Sequence, residues 1–579
     1  MRRWLHAAAY VALAVVATWP MVLSPTSRLL GDPDVDVWNH AWGAWWWAAS
    51  LADGSLPWHT ELLRHPEGGV LWFIDPLLAA FSAPWVPLLG VAGAYNLGVL
   101  ADVAFTAWAS RRLALSLGCR EGPSWVASVA AVSSAWLACE LHNGISEATH
   151  LGFVALALAW AQEATVARSY RGWLKAGVGV GLATVASPYL GLGTGIALLV
   201  RGLPQIRWAW AGGGVALLTA APVLVAMKAQ LQAADAIIKH PPAMNAQLAL
   251  HNAVDPRTFV QPFGFRSVDL SAEGFEHSMY LGLFALGLAL YSRRWAWWPS
   301  VVACLVFALG PYLYLSGALV SVGEGHLRLP WWLIQSVAPG LAITHPLRLA
   351  VPALMLICGL AALGAWRLVR VVPERPRPAV LVALGVLVGV DGFLLSGSTW
   401  PHQTADASFP EVYVDLARSP GAEVGEGVLD LPTDAGETMA TSRYLYWQAA
   451  HWRPIPYAPD VRASTSALID RRAFRRLAAL SPRRGDEDLR LDLIDDPSDG
   501  NPAAEVVGGL LDADIRWIVV HTSMDTDGRI APTLEGWLGP GTVIGDAVRW
   551  DLKDLEAEAI RPDFGGGQKP TRRPQGPGR

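Results

Sequence analysis

Apolar runs close to the ~20 residues that cross the hydrocarbon of a bilayer recur through residues 1–397: Trp4 to Leu23, Tyr95 to Leu117, Pro123 to Leu141, Ile145 to Thr165, Trp208 to Lys228, Trp295 to Leu315, Pro346 to Trp366 and Pro378 to Gly397. Shorter runs at Trp173 to Ala186, Pro188 to Val200 and Ser278 to Tyr291 bring the expected spans to eleven. Met1-Arg2-Arg3 precedes the first run, which ends in Thr18-Trp19-Pro20 without a small-x-small cleavage site. An uncleaved first span and a cytoplasmic start follow.

The run Leu71 to Gly90 is long enough to cross but carries Asp75, Pro76, Pro84 and Pro87. Basic clusters decide its placement through the positive-inside rule. With this run outside the span count, Arg111/Arg112/Arg120, Arg168/Arg171/Lys175, Arg201/Arg207, Arg293/Arg294 and Arg367/Arg370/Arg375/Arg377 all fall on the cytoplasmic side. Residues 71–90 are therefore expected to form an interfacial helix in a first outer loop, 24–94, together with a Trp-rich interfacial helix over 37–52. An odd count of spans then places the C-terminal part outside as well.

After Ser398 the apolar runs shorten to strand length and charges become frequent. Gly427 to Leu431, Ile515 to His521 and Thr542 to Ile544 read as short buried strands, and Ser466 to Leu480 as a helix with an Arg-rich face. The expected fold class is thus a polytopic α-helical membrane domain, 1–397, followed by an extracytoplasmic α/β or α+β domain, 398–560. The Gly/Pro/Arg-rich tail 561–579 is expected to be disordered. Composition agrees: 53% of the 579 residues are hydrophobic and 16% charged, with a mean hydropathy of +0.31. Such a chain does not suit a soluble protein of this length. The 29 tryptophans fall mostly beside the apolar runs, as interfacial anchors do. Four cysteines without CxxC spacing indicate neither a disulfide framework nor a zinc site. The net charge of −5 gives no footprint for nucleic acid.

The candidate chemistry lies in the expected outer loops. Asp32, Asp34 and Asp36 stand at i, i+2 and i+4 directly after the first span, a spacing at which carboxylates repel one another unless a cation compensates. Pro33 fixes the chain between the first two, and the plain alternative is that Asp32 and Asp34 only terminate the first span. Asp36 is placed to cap the following helix through its N-terminal amides. Trp38, Trp42 and Trp45 then recur on one helical face, suited to the membrane interface or to lining a sugar cavity. Arg348 and His345, at the mouth of the span from Pro346, are candidates for binding a phosphate; snorkelling to the headgroups is the alternative for Arg348. Glu147 and His150 flank one outer turn, and Glu276, His277 and Arg328 are further polar residues that a cavity could draw on. No motif marks a metal site, and the pair Glu276-His277 does not by itself make one. Asp102 and Asp391 are the notable charges inside spans.

In order along the chain, Gly31-Asp32-x-Asp34-x-Asp36 with its Trp-rich helix, His65-Pro66-Glu67-Gly68-Gly69, Leu329-Pro330 to Pro339, and His345-Pro346-x-Arg348 resemble the GT-C superfamily of integral-membrane glycosyltransferases, in particular its poorly characterised bacterial members. Val428-Leu429-Asp430-Leu431-Pro432 and Ile515-Arg516-Trp517-Ile518-Val519-Val520-His521 in the C-terminal part fit the same pattern. The resemblance implies an inverting transferase at the outer face of the bacterial inner membrane. Its donor would be a polyprenyl-phosphate-linked sugar and its acceptor a lipid, glycan or protein. The catalytic or metal-binding role it implies falls on Asp32, Asp34 or Asp36, with Asp34 favoured as the base and Asp32 as its helper, and a divalent cation is a candidate cofactor. Two competing readings are a GT-C-fold assembly component without transferase activity and, with less support from the sparse mid-span charges, a lipid or solute transporter.

Overall fold

The structure, a computed structural model, describes residues 2–72, 75–238, 242–263, 275–276, 278–337, 344–419, 425–433, 440–459, 468, 471–481 and 501–559. The chain divides into two compact units, Met1–His59 with Val70–Ser408 and Thr60–Gly69 with Phe409–Arg579. The main boundary falls at Ser408 rather than 397, because Thr404–Asp406 forms an antiparallel strand on Arg28–Leu30. The Arg28 guanidinium fastens that pair through the Thr404 hydroxyl and carbonyl.

In the first unit each of the eleven expected runs contains a helix. Among the described residues, four helical stretches are long and apolar enough to cross a membrane: Pro76–Ser116, Pro188–Gln232, Pro346–Arg370 and Arg377–Leu394. The expected Leu71 to Gly90 helix starts at Pro76, where Asp75 caps it by accepting from the Leu78 amide at 3.0 Å and proline occupies the first turn. It continues through a 3-10 turn at Ala83–Trp85 and a break at Gly90 (φ 70°, ψ 173°) directly into the next span. The run Trp295 to Leu315 is helical over Trp295–Ala308, a 3-10 turn followed by an α-helix from Trp298, and Tyr314–Leu315 turns back to pair with Ala318–Leu319.

Two departures from the expected pattern build the site. The run Pro123 to Leu141 is broken: one helix, Trp125–Val132, ends at Ser133, and a second, Ala135–Asn143, starts with Ser134 as its N-cap. Serine hydroxyls compete for backbone groups, and here Ser133 and Ser134 bond back to the Val129 and Ala131 carbonyls. The second helix ends on Gly144 in the left-handed region (φ 67°), where a Cβ would lie 2.5 Å from the Cα of Val37. Only glycine lets the start of Val37–Ala52 approach this corner so closely.

The helix Val37–Ala52 has the expected bounds, but Trp38, Trp42 and Trp45 are at most 4% exposed and so are packed within protein rather than laid against headgroups. Trp42 and Trp46 stack at 5.8 Å between ring centroids.

The second unit carries a four-stranded mixed sheet. Gly427–Leu431 and Ile515–His521 pair in parallel, Ala547–Asp551 adds antiparallel to Ile515–His521, and Thr542–Ile544 closes the edge. Three of these strands have the expected bounds, and Ala547–Asp551 is additional. The expected Ser466 to Leu480 helix is described as Arg472–Ala478, with Arg476 buried and donating to Glu505 at 3.0 Å. The segment Thr60–Gly69 belongs to this unit because the Arg64 and His65 amides donate to the Tyr457 and Ile455 carbonyls.

Candidate active site

Residues 142–150, the corner between the broken third run and the helix Leu151–Ala167, carry two groups of polar side chains. The first gathers the expected acidic loop. The Asp32 amide donates to the His142 carbonyl at 2.8 Å, and His142 Nε2 lies 3.7 Å from Asp32 Oδ2 and 3.8 Å from Glu276 Oε1. Glu276 is held in place by a reciprocal pair of bonds with Asn143 and by the amide and hydroxyl of Thr399. His142 is buried, and its Nδ1 has no hydrogen-bond partner among the described residues.

The three aspartates differ in setting. Asp32 turns inward because its Oδ1 accepts the Asp34 amide at 2.8 Å, closing a turn around Pro33 that leaves Asp34 exposed. Asp36 stands at the N-cap position but makes no side-chain bond to the helix amides; its Oδ1 accepts instead from the Asn39 side chain at 3.2 Å.

The second group is almost wholly buried. Arg348 donates to Glu147 Oε1 at 2.8 Å, and Glu147 Oε2 lies 3.3 Å from His40 Nε2. His40 Nδ1 meets the Ser146 hydroxyl at 2.9 Å, and that hydroxyl donates to Asp75 Oδ2 at 2.5 Å. His150 closes the chain, with Nε2 3.0 Å from Asp75 and Nδ1 2.8 Å from Asp102, whose other oxygen accepts from Thr149. Burial drives the His40 imidazole down in pKa, against the pull of Glu147 and Asp75. Burial raises the Asp75 carboxyl, but His150 beside it and hydrogen bonds from Ser146 and Leu78 outweigh that and hold it below the usual carboxylate range.

Arg348 therefore does not snorkel: it is buried, ion-paired and stacked over the Tyr189 ring at 5.3 Å. His345 is half-buried, with Nδ1 2.7 Å from the Thr344 hydroxyl, which also meets the Tyr189 hydroxyl. Trp38 and Trp42 are buried, and Trp38 Nε1 donates to the Pro33 carbonyl at 2.7 Å, which ties the helix to the acidic loop. Arg328 is exposed, with its guanidinium 4.1 Å over the Trp332 ring, and joins neither group. His277 lies outside the described residues.

The sequence reading did not select Asp75 or His40. Asp75 carried a signal, an aspartate followed by proline at a helix start, but its partners are 71 and 75 positions away. His40 had none beyond its place on the Trp-rich helix.

For a metal, the donor set of the first group is two carboxylates and one imidazole, a combination that suits a divalent cation. Ligands at ~2.1 Å around a tetrahedral ion stand about 3.4 Å apart, a few tenths less than the distances from His142 to Asp32 and Glu276. As they stand, no three His, Cys, Asp or Glu side chains among the described residues close around a single metal position.

No known family profile matches the sequence, and no curated protein matches it. Solved structures do. The Archaeoglobus fulgidus oligosaccharyltransferase in its apo form aligns over 92% of this chain and 71% of its own, at 12% identity and a TM-score of 0.50. The mycobacterial arabinofuranosyltransferase AftD aligns over 95% of this chain at 17% identity and a TM-score of 0.52; the match spans 42% of AftD. The chain has the GT-C fold. At these identities the likeness concerns the fold alone, and the GT-C fold here brings Asp32, Glu276, Glu147 and Arg348 to one corner.

Proposed function

We propose that this protein is a membrane glycosyltransferase that moves a sugar from a polyprenyl-phosphate-linked donor to a hydroxyl or amide acceptor, in a lipid, glycan or protein. The observation that carries the reading is the convergence on residues 142–150 of an acidic cluster and a buried arginine, within a GT-C fold. A transfer of this kind needs a carboxylate within hydrogen-bond reach of the acceptor and fixed positive charge for the departing phosphate. With a hydroxyl acceptor, the oxygen forms the new bond to the sugar C1 as the bond from C1 to the phosphate oxygen breaks. The proton passes to a carboxylate, and polyprenyl phosphate leaves.

In this assignment Asp32 is the base, Glu276 helps to hold the acceptor, and Arg348 with His345 meets the phosphate. Glu147 and His40 set the position of Arg348. The same proposal sets the protein in a bacterial inner membrane with eleven spans, and the distribution of basic clusters supports a cytoplasmic N-terminus and an extracytoplasmic C-terminal domain. The alternative of a GT-C-fold assembly component draws support from the pairing of Arg348 with Glu147, which already neutralises the arginine. The two readings separate on release of polyprenyl phosphate from its sugar conjugates by the purified full-length protein, with a heat-treated cell-envelope extract supplying the acceptor. Release that Asp32→Asn with Glu276→Gln abolishes supports the transferase; a wild-type protein that binds the lipid but releases nothing supports the assembly component.

A further inference from the structure

An apolar groove of about 690 Å³ runs between the helices Arg2–Ala17, Trp125–Val132 and Arg377–Leu394 of the first unit. Residues at helical spacing, including Leu381, Gly385, Gly389 and Phe393, line it along most of an 18-residue helix, a length of roughly 27 Å. Gly385 opens it, since a Cβ there would meet no atom within 4 Å. No charged side chain lines the groove.

Its two ends differ. At one end Trp400 lines the groove, its indole donating to the Val16 carbonyl and stacking on Phe393. The preceding residue, Thr399, binds the Glu276 carboxylate, and Glu276 shares His142 with Asp32. This end of the groove therefore lies one residue from the anchor of Glu276, which shares His142 with Asp32. At the other end Pro378 lines the groove, and Arg377 beside it is turned onto the Val372 carbonyl and Glu374. Arg348, the cation placed for the donor phosphate, is bound to Glu147 in the second group instead.

We propose that the groove seats the hydrocarbon tail of a lipid acceptor, whose uncharged, hydroxyl-bearing head group reaches Asp32 and Glu276. The tail finds apolar walls of matching length, and two carboxylates at the mouth repel a phosphate-bearing head while suiting a hydroxyl. This rests on the transferase reading and narrows its acceptor to a lipid.

The test uses the full-length protein in phosphatidylcholine nanodiscs with two photoreactive probes of identical diazirine tails, a diacylglycerol and a phosphatidic acid. The diacylglycerol is expected to label the groove about fivefold more than the phosphatidic acid, the discrimination expected of a single added charge near two carboxylates. Gly385→Phe, which fills open space and improves helix propensity, is expected to remove this labelling while leaving thermal stability and polyprenyl phosphate binding unchanged. Equal labelling by both probes, or labelling that Gly385→Phe leaves intact, overturns the proposal in favour of ordinary boundary lipid. Preference for phosphatidic acid overturns it in favour of a donor tail. The transferase reading is checked separately by polyprenyl phosphate release: if wild type releases none, that reading fails and the groove is not an acceptor site, whatever the labelling.

Discussion

Arg348 donates to Glu147 at 2.8 Å with both side chains buried, so this arginine reaches its place through a carboxylate from a different element. A buried pair is costly to break, because removing one partner leaves an uncompensated charge worth ~3–5 kcal/mol, whereas replacing both by apolar residues is often neutral. Arg348→Ala and Glu147→Ala should each lower thermal stability in detergent markedly. The double variant Glu147→Met with Arg348→Met should recover most of that stability yet remain inactive in transfer. Recovery of activity along with stability would remove Arg348 from the chemistry.

Gly144 supplies the close approach between the corner and the Trp-rich helix. Gly144→Ala should cost more than ~1 kcal/mol, since the left-handed backbone and the contact with Val37 both oppose a Cβ. It should also depress transfer by moving His142 away from Asp32. A melting curve and a transfer assay on the same preparation check both effects; an unchanged melting temperature would show that the corner is looser than the structure indicates.

In the second unit, burial pushes His451 down to about 3, with Arg453 adding to the effect. The unfolded imidazole takes up its proton near 6.5. Between these values the unfolded chain binds more protons, so this histidine's contribution to stability is intact above about 6.5 and falls by about 1.4 kcal/mol per pH unit as the pH drops toward 3. His451→Gln should flatten the acid side of the unfolding profile, and an unaltered profile would count against a neutral buried His451.

If a divalent cation joins Asp32, His142 and Glu276, chelation should abolish transfer, and Mn²⁺ or Mg²⁺ should restore it to wild type but not to His142→Ala. Full activity in excess chelator would leave the three residues to act without metal. The measurement is the transfer rate across a metal titration.

Much of the fold was legible because its signals are local. Runs of apolar residues marked where helices lie, and short buried runs of strand length gave Gly427–Leu431 and Ile515–His521 to the residue. The break at Ser133 and Ser134 was not read, because two serines in an apolar run are weak against the length of that run. The site was legible in part. Asp32, Glu276, Glu147, His150 and Arg348 were selected as residue types, but which of them meet depends on contacts across as many as 201 positions. The same limit applies to Asp32 and Asp34: proline at 33 fixes the chain between them, but the hydrogen bond from the Asp34 amide to Asp32, which sets their directions, is not visible in sequence.

The central claim is tested most directly by comparing Asp32→Asn with Asp34→Asn for release of polyprenyl phosphate from a polyprenyl-phosphate sugar by the purified protein, with a heat-treated cell-envelope extract supplying the acceptor. The account predicts a loss of roughly 10²–10⁴-fold for Asp32→Asn, the range of a lost general base, and near wild-type release for Asp34→Asn. Equal activity of wild type and Asp32→Asn would contradict it.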